Sequence, residues 1–113
     1  MTPAAFALLL ALTEGERHGY RLISDVERLT AGEIILGPGT LYRTLQRMRV
    51  DGLVVEIPPD QNAVRADRRA ERRRGYRITA AGRAAVRHEA RRLATVLASD
   101  AAQALLHDDD EDR

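Results

Sequence analysis

The chain has 113 residues, of which 44% are apolar but only four are aromatic, so it suits a single domain with a modest aliphatic core. It contains no cysteine, which excludes disulfides and thiolate metal sites and fits a cytoplasmic protein. The net charge is only +1, but ten arginines and five acidic residues lie between Thr40 and Thr79, whereas residues 108–112 are all acidic; a basic middle indicates a polyanionic partner.

The N-terminal segment predicts a buried helix from Pro3 to about Leu12. Thr2 is a favourable N-cap, and proline suits the first helical position. The apolar run over residues 4–12 is too short to span a bilayer and lacks the features of a signal peptide, so no membrane association is expected. Either the whole helix belongs to the core, or one side of it packs against a second subunit.

A second helix is expected from His18 or Gly19 to about Leu29, after a polar turn. Its apolar residues recur at helical spacing and should face the core: Leu22, Ile23, Val26 and Leu29. The polar positions expected on the solvent side are Arg21, Asp25 and Arg28. Residues 33–36, which follow this helix, are expected to be extended and to add one strand to a small sheet.

The segment from Leu36 to Met48 is the most informative part of the sequence. Gly37-Pro38-Gly39 forms a sharp turn that begins a helix reaching about Val50. Three apolar residues share one face of this helix and should be buried: Leu41, Leu45 and Met48. The residues suited to contact double-stranded DNA are Thr40, Tyr42, Arg43, Thr44 and Arg47. Arg43 and Arg47 lie one turn apart and suit guanine edges in the major groove, although an ordinary solvated face is the alternative.

A small β wing is expected after this helix. Leu53–Ile57 and Gly75–Ile78 predict two strands, and the polar residues 61–73 between them predict a flexible loop. The arginines expected to neutralise phosphates are Arg65, Arg68, Arg69, Arg72, Arg73 and Arg74; a solvated loop is the alternative. This order of elements is that of a winged helix-turn-helix: helix, turn, helix, strand, basic loop and strand. In that fold the second helix enters the major groove.

The C-terminal third predicts a long helix from Ala80 to about Leu106, with Thr79 as its N-cap. Its apolar stripe advances in steps of three and four residues, as in a coiled coil. We expect a second copy of the chain to bury this stripe, unless the helix folds back on its own domain. The residues expected in the homodimer interface are Phe6, Leu9, Leu10, Val86, Ala90, Leu93, Leu97, Ala101 and Ala104. Residues 107–113 are expected to be an acidic, disordered tail.

No group of side chains in the sequence suggests catalysis. His18, His88 and His107 lack the spacing of a metal site, and the glycines form no phosphate-binding pattern. The carboxylates are expected to pair with nearby arginines rather than with each other. We therefore expect that the chain is not an enzyme and holds neither a metal nor a cofactor.

Four short segments resemble, in order and spacing, the PadR family of transcriptional regulators. These segments are His18-Gly19-Tyr20, Gly37-Pro38-Gly39-Thr40-Leu41-Tyr42-Arg43, Asp51-Gly52-Leu53 and Tyr76-Arg77-Ile78-Thr79-Ala80-Ala81-Gly82. The length of the chain, with one C-terminal helix, is similar to the short subfamily. The resemblance implies a mainly α fold with a small β wing, in which residues 1–79 form the winged helix-turn-helix and residues 80–106 the dimerisation helix. The acidic tail, residues 107–113, is not part of the family pattern.

The resemblance also implies a function. It implies a repressor that binds a palindromic operator as a homodimer and is released by a small-molecule effector. By position, Thr40, Tyr42 and Arg43 would lie at the DNA surface, and His18 and Tyr20 would approach phosphate, although a core role for Tyr20 is the alternative. The chain has no tryptophan, which argues against a drug pocket of the stacking type. A different hypothesis is a winged-helix module whose basic face binds an acidic protein.

Overall fold

The computed structural model describes residues 1–59, 61–67 and 74–108. In chain order, its elements are α1 (Pro3–Thr13), β1 (Arg17–His18), α2 (Gly19–Leu29), α3 (Pro38–Val50), β2 (Val54–Ile57), α4 (Gln61–Ala66), β3 (Gly75–Ile78), α5 (Ala80–Leu97) and α6 (Asp100–His107). The predicted fold class, mainly helical with a small β wing, is confirmed.

The core lies where α1, α2 and α3 meet the sheet. α1 begins as predicted, because Thr2 Oγ1 accepts a hydrogen bond from the amide of Ala5 at 3.1 Å and Pro3 follows the cap. The largest fully buried side chains are Leu8, Leu9, Leu12, Leu22, Val26, Leu41, Leu45 and Val54. Each buried leucine contributes roughly 1.5–3 kcal/mol relative to an exposed one, so this cluster fixes how the three helices pack.

The end of α3 is set by Gly52. This residue has φ +77°, a left-handed conformation that glycine adopts without a steric penalty. The amide of Gly52 donates to the carbonyl of Arg49 at 3.0 Å, and the amide of Leu53 donates to the carbonyl of Met48 at 2.9 Å. These two bonds are those of a Schellman motif, and they direct the chain from α3 straight into β2.

Three strands form one antiparallel sheet within the described residues, in the order β1-β3-β2. Val54 pairs with Ile78, and Arg17 pairs with Tyr76. The prediction that residues 33–36 supply the additional strand is wrong, because β1 supplies it. Leu36 is instead buried in the core, and the amide of Ile34 is bound by Thr30 Oγ1 at 3.0 Å, so this segment packs rather than pairs.

Two expectations about α2 are also wrong. Asp25, expected on the solvent side, is only 6% exposed. Its Oδ2 atom lies 3.6 Å from Nε of Arg17, but neither atom has a hydrogen-bond partner among the described residues, so this ion pair offsets only part of the cost of burying the carboxylate. Leu29, expected in the core, is 38% exposed.

The C-terminal helix is not continuous, which corrects the prediction of one helix over residues 80–106. α5 ends at Leu97, and Ser99 has extended backbone angles and accepts a hydrogen bond from the amide of Ala102 at 3.2 Å. Ser99 is therefore the N-cap of a separate helix, α6. α5 alone spans about 27 Å at 1.5 Å per residue. The disordered tail was predicted from residue 107, which is wrong for His107 because it is the last residue of α6; the part of the tail after Asp108 lies outside the described residues.

The segment predicted as a flexible loop contains α4, so that prediction is wrong for residues 61–66; residues 68–73 lie outside the described ranges. No described helix is both long enough and apolar enough to cross a membrane.

Two of the four motif segments meet where the wing joins α5. The amide of Thr79 donates to the carbonyl of Leu53 at 3.0 Å, and Thr79 Oγ1 donates to the carbonyl of Gly52 at 2.7 Å. Thr79 Oγ1 also accepts from the amide of Gly82 at 3.0 Å, which caps α5 as predicted. The wing and the C-terminal helix are thereby fixed to the end of α3.

Candidate nucleic-acid interface

α3 has one buried face and one open face. Leu41 and Leu45 are fully buried and Met48 is 3% exposed, as predicted for its apolar side. Because the helix turns by about 100° per residue, the opposite side is centred on Arg43 and Val50. This side borders a shallow groove of about 810 Å³, whose lining residues are Gly39, Tyr42, Arg43, Gln46, Arg47, Val50 and Asp51.

Arg43 and Arg47 both lie on this open face and are both exposed. Nη2 of Arg43 donates to Oγ1 of Thr40 at 3.3 Å, which brings the predicted Thr40 and Arg43 together at the start of the helix. Neither guanidinium forms an ion pair with an acidic residue of the described ranges. Both positive charges are therefore available to an anionic partner.

Thr44 and Tyr42 lie at the two edges of the open face. Thr44 is half-buried, and its hydroxyl donates to the carbonyl of Thr40 at 2.8 Å. Tyr42 is also half-buried and packs against the core. Its hydroxyl lies so close to Gly19 that a Cβ atom there would be 2.7 Å from it. The absence of a side chain at Gly19 thus allows the Tyr42 ring to lie across the start of α2.

The start of α2 contributes two further predicted residues. His18 is exposed and forms the N-cap position of α2. Tyr20 is 49% exposed, which rules out the alternative of a core role. His18 and Tyr20 lie on either side of Gly19 in the chain, and Tyr42 of α3 lies over Gly19. His18 and Tyr20 therefore belong to the same end of the α3 surface.

Part of the positive charge at the base of the wing is paired with an acidic residue. Arg65 is exposed on α4. Arg74, however, contacts the carboxylate of Glu56, and Nε of Arg49 lies 3.9 Å from Oε2 of the same Glu56. Glu56 therefore compensates part of the positive charge beside the groove. The other predicted wing arginines lie outside the described residues: Arg68, Arg69, Arg72 and Arg73.

Tyr76 is a buried residue of the wing strand β3. It is 6% exposed, and burial, followed by the nearby Glu56 carboxylate, raises the pKa of its hydroxyl above the ordinary value. The phenol therefore stays neutral at physiological pH. This residue belongs to the packed base of the site and not to its charged surface.

Two residues of the open face were missed by the sequence analysis. Gln46 is exposed and Val50 is 72% exposed, and both border the groove. The signal for them was present, because both lie nearly opposite the buried Leu41, Leu45 and Met48 on the helical projection. Neither residue has the charge or the hydroxyl group that marked the predicted contacts on this helix.

Comparisons with known proteins agree with this architecture. The family model described as the transcriptional regulator PadR-like family matches residues 8–88. A transcriptional regulator of Mycobacterium tuberculosis is 44% identical over 80 residues, which make up 71% of this chain and 55% of that protein. The chain thus matches little more than half the length of this relative.

Two solved structures share the fold. One is a transcriptional regulator from Clostridium thermocellum, with a TM-score of 0.66, 20% identity and coverage of 82% of both chains. The other is a PadR family transcription regulator from hypervirulent Clostridium difficile, with a TM-score of 0.63, 20% identity, and coverage of 85% of this chain and 95% of that one.

Proposed function

The chain belongs to the PadR-like family of transcriptional regulators, and from that premise we propose that it is a repressor that binds a palindromic operator as a homodimer. Proteins of this family regulate transcription and are not enzymes. The observation that carries the proposal is the open face of α3, on which Arg43 and Arg47 are exposed without acidic partners in the described ranges. Such a face suits insertion into the major groove.

Within the groove, the residues of α3 have different tasks. Arg43 and Arg47 recognise guanine edges, each with two hydrogen bonds. Thr40, Tyr42 and Thr44 border the phosphates beside the helix, and His18 and Tyr20 approach the same strand from α2. Arg65 and the other wing arginines bind phosphates without regard to sequence. Specificity therefore comes from α3, and much of the affinity comes from the wing.

The proposed homodimer is supported by apolar surface that the protomer leaves uncovered. A groove of about 300 Å³ runs between α1, the end of α2 and α5, and its apolar lining includes Phe6, Leu10, Leu29, Ile34 and Leu93. Leu97 is 53% exposed. Leu9 and Val86, expected in the interface, are buried in the core of their own protomer, so they do not belong to it. The interface that we propose contains Phe6, Leu10, Ala90, Leu93, Leu97, Ala101 and Ala104.

The rim of this groove is charged. Nε of Arg92 donates to Oε1 of Glu89 at 2.8 Å, and this hydrogen bond lowers the pKa of the Glu89 carboxyl. An apolar floor with an ionised rim resembles the usual composition of a protein interface. It suits a second copy of the chain, whose α5 would present the same apolar stripe.

Selection from fragmented genomic DNA tests the proposal. Purified wild-type protein should enrich an inverted repeat whose half-site centres are about 34 Å, one helical turn, apart. A double variant, Arg43→Ala with Arg47→Ala, should fold equally well, because both side chains are exposed, and should enrich no common sequence. Enrichment of the same repeat by both proteins would contradict recognition by α3.

We also propose that a small molecule releases the operator. A cavity of about 410 Å³ lies between the beginning of α1 and α3, a size common for small-molecule sites. Leu9 and Met48 contribute its apolar lining, while Arg47 and Ala5 also border it. A ligand there would contact a side chain that we assign to DNA.

A panel of aromatic carboxylates, from benzoate upward in size, tests this site. At least one member should raise the Tm of the wild-type protein, since a ligand that binds the folded state stabilises it, and should weaken DNA binding. Ala5→Phe, whose ring would occupy the cavity, should abolish both effects. Equal shifts in the two proteins would exclude this cavity as the effector site.

A further inference from the structure

Gln46 lies in the middle of the open face of α3, although it carries no charge. Arg43 precedes it by three residues and Val50 follows it by four, which are the spacings of neighbours on one helical face. All three residues border the same groove. A DNA duplex that contacts Arg43 on this face therefore also contacts Gln46.

One hydrogen bond orients the amide group of Gln46. Nε of Arg49 donates to Oε1 of Gln46 at 3.2 Å, and the same Nε lies 3.9 Å from Oε2 of Glu56 in β2. The amide oxygen therefore points toward Arg49. One lone pair of that oxygen and both hydrogens of Nε2 are not used by this contact, so the amide presents an acceptor beside a donor.

We propose that Gln46 is a specificity-determining residue that recognises adenine in the major groove. Adenine presents a donor, N6, beside an acceptor, N7, which an amide matches by accepting at Oε1 and donating from Nε2. Guanine presents two acceptors there, which suit the arginine side chain but oppose the amide oxygen. Arg43 and Gln46 would thus select different bases from adjacent positions of one helix.

Arg49 and Glu56 have a positioning role in this inference. They link the wing strand β2 to the amide of Gln46, so the wing orients a base-reading side chain that it does not itself contain. The inference rests on the proposed function, because it requires α3 to lie in the major groove.

The test is a selection from random double-stranded DNA with the full chain, followed by sequencing of the bound fraction. Four proteins are compared: wild type, Gln46→Glu, Gln46→Ala and Asn62→Asp. A carboxylate has only acceptors, and it pairs with the N4 donor of cytosine. Gln46→Glu should therefore change one adenine of each half-site to cytosine, with about a tenfold preference, and leave the other positions unchanged.

The remaining variants separate recognition from general charge effects. Gln46→Ala should lose the preference at that one position and gain none. Asn62→Asp makes the same amide-to-acid change at an exposed position of α4, so it should lower affinity for all sequences and leave the enriched sequence as in wild type.

Each outcome of the selection either supports or overturns the proposed recognition of adenine by Gln46. An enriched sequence that is identical for wild type, Gln46→Glu and Gln46→Ala overturns the inference about Gln46 and leaves the proposed function standing. If wild type itself enriches no sequence, the proposed function fails and this inference fails with it. If Gln46→Glu binds too weakly to select DNA, the alanine variant decides, because an unchanged preference at every position overturns the inference.

Discussion

At the scale of single residues, Gly82 shows why one motif of the sequence tolerates no side chain. A Cβ atom at this position would lie 2.1 Å from the carbonyl oxygen of Leu53 and 2.7 Å from Cγ1 of Ile78. The oxygen belongs to the backbone, and it already accepts a hydrogen bond from Thr79. A larger residue must therefore move α5 away from the wing.

Gly82→Ala should lower the free energy of unfolding by about 3 kcal/mol, the upper part of the range for overpacked sites. Gly37→Ala is the matched control, because a Cβ atom there has no neighbour within 4 Å in the described part of the chain and φ is −77°. The control should change stability by less than about 1 kcal/mol. Urea denaturation of both variants measures the difference, and equal stabilities would refute the close contact.

Ala31 is the opposite case, a side chain where the backbone favours glycine. It has φ +50° at the end of α2, where the amide of Gly32 donates to the carbonyl of Glu27 at 2.8 Å. A left-handed conformation costs an alanine roughly 1–2 kcal/mol. Ala31→Gly should therefore stabilise the protein by about 0.5–1 kcal/mol, which thermal denaturation measures as a higher Tm; an unchanged or lower Tm would show that the strain is absent.

At the scale of elements, α6 has little packing within its own protomer, because none of its residues is buried. It has eight residues, and isolated helices of this length are marginal in water. Leu105 is 72% exposed and Leu106 is 55% exposed, and Ser99 separates the helix from α5. A second copy of the chain that covers both α5 and α6 would supply the missing packing.

Leu93→Arg should prevent this association, because it introduces a charge into the apolar groove that borders α5. Thr95→Arg is the control, since it adds the same charge at an exposed position on another side of the helix. Sedimentation equilibrium should give wild type and Thr95→Arg twice the 12.6 kDa mass of the chain, and Leu93→Arg the mass of one chain. A wild-type mass of one chain would contradict the homodimer.

The sequence predicted most of the elements, and its errors have physical causes. The bounds of α2 and α3 were predicted because their apolar residues have a clear period and glycine or proline marks their ends. β1 was missed because two polar residues in a turn carry no alternating pattern. The break before α6 was missed because the apolar stripe continues past Ser99, although Ser-Asp is itself a helix-start signal.

The predicted site was less complete than the predicted fold. Charge and spacing identified Arg43 and Arg47, but they did not reveal that Glu56 contacts Arg74, because the two residues meet only when β2 and β3 pair. The contact between Glu56 and Arg49 was missed for a different reason, because it depends on how the turn after α3 sets β2 against the helix. Pairing across the sheet, rather than local pattern, decides which charges of the wing remain available.

At the scale of the whole molecule, the chain is elongated. Its radius of gyration is 17.2 Å and its longest extent is 60 Å, compared with roughly 13 Å for the radius of a compact domain of this size. α6 contributes to this shape, because it follows α5 and has no buried residue. Two copies joined through these helices would present two α3 helices to one side of a DNA duplex.

In the proposed complex, α3 reads a DNA sequence while the wing supplies affinity that is independent of sequence. Binding isotherms from fluorescence anisotropy test it directly, with the selected operator and a scrambled duplex at several salt concentrations. Arg43→Ala should lose about 1–3 kcal/mol of discrimination between the two duplexes. Arg65→Ala should weaken both duplexes alike and reduce the salt slope by about one. If the two variants weaken both duplexes equally, α3 does not read the sequence.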